Sequence, residues 1–205
     1  SSTSRGLGDV YKRQVIEDNL IYASFDNGRL GVFELDSGFQ IWDGAISYVR
    51  GVSELENLID SDSDPVVDSG LIYTTNYQGN VNIFDTSQRR SIWNYETSSF
   101  YSPLISRGMM AVVETDSTIR AFALKTLQES WVSDEYLNRE LSNAVNFKGS
   151  LVVGDFEGHI HIIDLLNGRT LSRKKVSKKP IKTIFSRSDS LYVVDEAFNL
   201  ISINI

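Results

Sequence analysis

The stretch from Leu151 to Asp164, LVVGDFEGHIHIID, joins an apolar run to a second run alternating at period two through a short polar turn centred on Gly158. Such a pattern specifies a β-hairpin with a buried face. Related stretches stand at residues 20–35, 71–85, 109–124 and 191–203, so the chain is a tandem repeat. The first core position of the second strand falls at Leu30, Val81, Ile119, Ile160 and Leu200. The repeat unit is thus about 40 residues, with one longer step between the first two copies. Twelve residues beyond the first three anchors stand Trp42, Trp93 and Trp131, which are all 3 tryptophans of the chain.

A further strand precedes each later hairpin, around Pro65-Val66-Val67, Pro103-Leu104-Ile105, Ala144-Val145 and Pro180-Ile181. Each unit therefore holds about four short strands, the last ending near the Trp, which is the content of one propeller blade. The expected fold is all-β, a partial β-propeller of PQQ-like or WD40-like blades over residues 15–205, with the fourth strand of the last blade absent. A hydrophobic content of 41% in 205 residues suffices for a sizeable core. Only Asp134 to Leu141, behind a possible Ser133 cap, reads as a short helical turn. No apolar run approaches the roughly 18 residues that a membrane-spanning helix needs. With no Cys, the chain carries neither disulfides nor thiolate metal sites.

The opening residues 1–14 fit no repeat. Asp9-Val10-Tyr11-Lys12-Arg13-Gln14 resembles a translated sequencing adapter, the alternative being a natural polar tail. The segment lacks the apolar stretch of a signal peptide. Hairpin turns are expected at Asp26-Asn27-Gly28, Gln78-Gly79-Asn80 and Asp116-Ser117-Thr118. The longer step places an insertion between Gly44 and Asp64, carrying Glu54, Glu56, Asp60, Asp62 and Asp64 with no Lys or Arg after Arg50. Insertions in a regular array are either solvated loops or functional ones. Met109-Met110 read as strand core.

His159 and His161, both histidines of the chain, lie two apart and so on one face of a strand. That spacing suits a metal, but no nearby Asp or Glu is forced onto the same face. Packing with satisfied imidazoles is the favoured reading, and no metal or cofactor site is assigned. From Arg169 to Arg187 the chain carries Arg169, Arg173, Lys174, Lys175, Lys178, Lys179, Lys182 and Arg187 with no acid, in a protein of net charge -7. Only Phe185 is interleaved, which argues against nucleic acid. A solvated outer strand remains open, as does a patch facing anionic headgroups or an acidic partner.

The Pro-x-Val strand, the Gly-turned hairpin and the Trp marker resemble the PQQ-like propeller repeat. Ser53-Glu54-Leu55-Glu56-Asn57-Leu58-Ile59-Asp60-Ser61-Asp62 running into Pro65-Val66-Val67, Leu151 to Gly158, and Tyr77-Gln78-Gly79-Asn80 make the chain similar to the C-terminal part of the BamB family, outer-membrane lipoproteins of the β-barrel assembly machinery in Gram-negative bacteria. The resemblance implies about five of eight blades of a non-enzymatic scaffold. It places the parent protein at the periplasmic face of the outer membrane, held by a lipid on an N-terminal Cys that this chain lacks. It also implies docking onto the periplasmic domains of BamA and contact with unfolded outer-membrane clients. Asp60 and Asp62, with Leu55 and Leu58 beside them, match the family's BamA-contacting region. The rival reading is a fragment of a PQQ-dependent quinoprotein dehydrogenase. Such an enzyme needs an axial Ca²⁺ site, a general-base Asp and often adjacent cysteines. The absence of Cys, and acids gathered in one insertion, count against it. A generic protein-interaction propeller is the third reading.

Overall fold

The structure is a computed structural model that describes residues 14–24, 29–45, 63–75 and 79–203. Among these residues every regular element is a β-strand. Strands β1 (Gln14–Glu17), β2 (Leu20–Ser24), β3 (Arg29–Glu34) and β4 (Gln40–Ala45) form the first antiparallel sheet. The second contains β5 (Val66–Asp68), β6 (Leu71–Thr75), β7 (Gly79–Asp85) and β8 (Arg90–Thr97). The third contains β9 (Leu104–Ser106), β10 (Met109–Val113), β11 (Ile119–Ala123) and β12 (Gln128–Ser133). The fourth contains β13 (Val145–Phe147), β14 (Ser150–Gly154), β15 (His159–Asp164) and β16 (Thr170–Lys175). A last, three-stranded sheet holds β17 (Ile181–Arg187), β18 (Ser190–Asp195) and β19 (Leu200–Ile203). Each sheet is a simple meander in chain order, one propeller blade. The expected turns at residues 26–28 and at Gln78 lie outside the described residues, as does the acidic insertion from Glu54 to Asp62, whereas Gly79 and Asn80 belong to β7.

The Trp spacing has a structural cause. In each complete blade the register between the third and fourth strands shifts at one place, at Val32/Phe33, Ile83/Phe84, Ala121/Phe122 and Ile162/Ile163. The residue before each shift faces Trp42, Trp93, Trp131 or Ser172. A bulge at a fixed point sets the side chain of the fourth strand, and the same bulge recurs with the repeat.

The chain divides into two compact units at Ser102/Pro103. In the first, Trp42 packs edge-on against Phe84 of the neighbouring sheet at 4.8 Å, over Tyr22, Leu30, Val32 and Ile72. In the second, Trp131 donates its indole N–H to the Leu165 carbonyl of the next blade at 3.0 Å, and its ring lies against Gly168. The core there fills the space between the last two sheets, where Val152 and Ile160 meet Ile181, Ile184, Leu191 and Val193. Leu30, Val81, Ile119 and Ile160 are fully buried, as the period predicts. Leu200 is not: it is 63% exposed. Its face is the one that a following blade covers elsewhere, so the strand pattern is right and the core assignment wrong. Both Met109 and Met110 are buried in β10. Residues 134–141 form successive turns, with Leu137 N–H on the Asp134 carbonyl and Arg139 N–H on that of Tyr136, and Ser133 ends β12 rather than capping a helix.

Candidate functional site

The hairpin turn between β14 and β15 brings together Asp155, Glu157, both histidines, Arg139 and Arg173. Gly154 ends β14 where a Cβ would stand 2.4 Å from Ile181, so only glycine lets the next blade's first strand approach. Asp155 follows and is completely buried. Its Oδ1 accepts the backbone N–H groups of Glu157 at 3.0 Å and His159 at 2.9 Å, closing the turn. Its Oδ2 accepts His161 Nε2–H at 2.8 Å and Arg139 Nε–H and Nη2–H at 3.0 and 2.7 Å. Gly158 sits at φ +83° under the Ser177 and Lys179 carbonyls, which any Cβ would meet within 2.7 Å.

Burial alone would raise the Asp155 carboxyl above its ordinary value. The His159 N–H, His161 and the Arg139 guanidinium outweigh that cost, and the group ends well below the usual carboxylate range. It is therefore ionised, so the neutral His161 ring carries its proton on Nε2. Burial pushes His161 below its ordinary value, and the hydrogen bond to Asp155 only partly opposes this. Its ring meets Tyr136 edge-on at 4.9 Å, and the Tyr136 hydroxyl bonds Thr170 of β16.

Glu157 lies outside this pair. Arg139 Nη2 reaches it at 2.5 Å and Arg173 Nη2 at 3.0 Å, and Arg173 also donates to His159 Nδ1 at 3.1 Å. Sequence reasoning found no carboxylate beside the histidines. That is corrected here: the Asp155 turn folds back onto the strand and puts both carboxylates beside the imidazoles. Asp155, Glu157 and His159 offer ligand atoms within 4.8 Å of one another, close enough for a divalent cation. Two guanidinium groups already meet these atoms, so a metal would have to displace both arginines. The His161 ring nitrogen Nε2 is committed to Asp155. The arrangement ties the 134–142 segment to the blade. The Asp155-Phe156-Glu157-Gly158 turn was the available signal, whereas Arg139 arrives from a loop with no periodicity.

The designated partner-binding residues Leu55, Leu58, Asp60 and Asp62 lie outside the described residues. Asp64 beside them is exposed, and its carbonyl accepts the Ser102 hydroxyl at 2.8 Å. All eight cations from Arg169 to Arg187 are exposed, as expected for an outer strand and loop.

A family model, PQQ_2, described as outer membrane protein assembly factor BamB, matches residues 10–131 and 93–202. Outer membrane protein assembly factor BamB of Legionella pneumophila (strain Paris) is 31% identical over 163 residues, covering 80% of this chain and 42% of the relative. That of Escherichia coli (strain K12) is 30% identical over 158 residues, 77% of this chain and 40% of the relative. The chain spans less than half the length of these curated relatives. Among solved structures, BamB from Moraxella catarrhalis superposes with a TM-score of 0.80 at 23% identity, over 92% of this chain and 56% of that one. The computationally designed Ika8 protein superposes with a TM-score of 0.73 at 13% identity, over 94% and 57%. Both likenesses bear on the fold, which is that of the BamB propeller.

Proposed function

The chain belongs to the outer membrane protein assembly factor BamB family, and we propose that the protein carrying it is a non-enzymatic scaffold of the β-barrel assembly machinery. On this reading it works at the periplasmic face of the outer membrane, binding the periplasmic domains of BamA and assisting outer-membrane protein insertion. The family match over residues 10–131 and 93–202 carries the proposal. Two further features support it. Asp155, Arg139 and His161 are engaged with one another and with the backbone in holding a turn. The one long departure from the repeat, between Gly44 and Asp64, carries Glu54, Glu56, Asp60, Asp62 and Asp64 with no Lys or Arg after Arg50.

Asp60 and Asp62 are two residues apart and project to one side if their stretch is extended. They can accept charge-assisted hydrogen bonds from Arg or Lys of a docking domain, with Leu55 and Leu58 adding apolar contact. Losing one partner of a desolvated pair costs about 2 to 5 kcal/mol, enough to remove a micromolar contact from detection. In the full-length parent, Asp60→Ala with Asp62→Ala is expected to abolish capture of the BamA periplasmic domains with little change in melting temperature. Undiminished capture would remove the insertion from the interface and defeat this assignment.

A further inference from the structure

Three loops meet at one end of the last two blades. Turn 155–158, the connection 176–180 and turn 195–199 are stitched together by backbone and side-chain bonds: Val176 N–H to the Gly158 carbonyl, Glu196 N–H to the Pro180 carbonyl, and Ser177 Oγ to Asp195 at 2.7 Å. Turn 195–199 repeats the backbone hydrogen bonds of turn 155–159. Asp195 Oδ1 accepts the N–H groups of Ala197 and Asn199 as Asp155 Oδ1 accepts those of Glu157 and His159. The position that holds Gly158 at φ +83° holds Phe198 at φ +60°.

A bulky side chain in the left-handed region is costly, and an aromatic ring in water gains nothing from folding. Phe198 has both liabilities, being 74% exposed. The Lys182 ammonium lies 4.3 Å from its ring centroid. Lys178 and Lys179 stand exposed on the adjoining connection, and Lys175 closes the group by donating to the Glu157 carbonyl at 2.5 Å. The acids nearest this end are constrained or few: Asp155 and Asp195 are buried, Glu157 is held by two arginines, and Glu196 is exposed.

We propose that this loop end is a membrane-contact surface for anionic phospholipid headgroups, with Phe198 as the inserted anchor and Lys175, Lys178, Lys179 and Lys182 as the charge. The choice of a lipid surface over a peptide follows from what the turn leaves unused. The backbone N–H groups of 195–199 are all engaged, those of Ala197, Phe198 and Asn199 on Asp195, that of Asp195 on the Asn199 carbonyl and that of Glu196 on the Pro180 carbonyl, so no ladder is offered to an added strand. What remains is a convex ring beside ammonium groups, which suits a fluid interface where apolar tips and cations act together. The inference does not depend on the assembly role proposed above.

The test is co-sedimentation of the full chain with vesicles of phosphatidylcholine, with and without about one-third phosphatidylglycerol. Binding is expected on the anionic vesicles only, weakening as salt rises from about 50 mM to about 500 mM. Phe198→Gly, which supplies the residue the backbone favours, should lower partitioning roughly tenfold without lowering the melting temperature. Lys178→Glu with Lys179→Glu should lower it at least as much. Equal binding to both vesicles, no binding by the folded chain, or unaltered partitioning of the Phe198 variant would overturn the proposal. Retention on poly-glutamate with no vesicle binding would also overturn it, assigning the surface to an acidic protein partner.

Discussion

Turns 155–159 and 195–199 share a backbone and a leading Asp and differ in the side chains that follow it. Each starts with a buried Asp that accepts the N–H groups two and four residues on. At Asp155 the remaining oxygen is filled by Arg139 and His161, and a loop roofs the left-handed position. At Asp195 it is filled by uncharged Asn199 and Ser177, and the left-handed position projects as Phe198. Asn199 and then Ser177 hold the Asp195 carboxyl down at about 2 without any cation. A repeat thus fixes main-chain hydrogen bonds and leaves side-chain chemistry free to vary, one copy serving as a lock and the other as an exposed tip.

The largest effect expected from this contrast is at Asp155. Its replacement by Ala strands Arg139, His161 and two backbone N–H groups together, a loss of about 3 to 5 kcal/mol. In a chain of this size that corresponds to a melting temperature lower by about 10 °C. Asp195→Ala, which strands no charge, should fall by clearly less in the same melting experiment. A smaller loss, about 1 to 3 kcal/mol, is expected for Gly158→Ala, whose Cβ would stand 2.3 Å from the Ser177 carbonyl at φ +83°. If the Gly158 variant melted like the parent chain, the roofed turn would be looser than described.

The next effect depends on pH. Both Asp carboxyls are depressed in the folded state, so their stabilisation is complete above the ordinary unfolded value near 4 and is lost as pH falls through the folded values. His161 is also depressed, so below about pH 6.5 the unfolded chain takes up a proton that the folded one refuses. Stability should therefore begin to fall near pH 6.5. His161→Gln, still able to donate to Asp155, should erase that upper fall and leave the one below pH 4, as read by urea midpoints across pH. The smallest effect is at Arg173, whose bond to Glu157 is half-exposed on both sides. Arg173→Ala should cost under about 1 kcal/mol and lose even that at high salt.

Much of this fold is legible because its determinants are local. Period-two alternation marks β15, and the Pro-x-Val signal marks β5 at Val66. Trp42 and Trp131 report a bulge and an interblade contact that recur at fixed spacing. Leu200 was misread because alternation says which face a side chain takes and not whether another sheet covers it. The Asp155 cluster was missed for a related reason. Its partner Arg139 lies 16 residues away in an aperiodic segment, and only the folded turn brings guanidinium, carboxylate and imidazole together.

Locks and departures from the repeat are separated most directly by hydrogen–deuterium exchange on the full-length parent, with and without the BamA periplasmic domains. The amides of Glu157 and His159, held by Asp155, should exchange slowly in both states and change little on binding. Residues 54–62 should gain protection only with the partner present. New protection at 155–161 with none at 54–62 would contradict the account, placing the partner on the cluster that is read here as a lock.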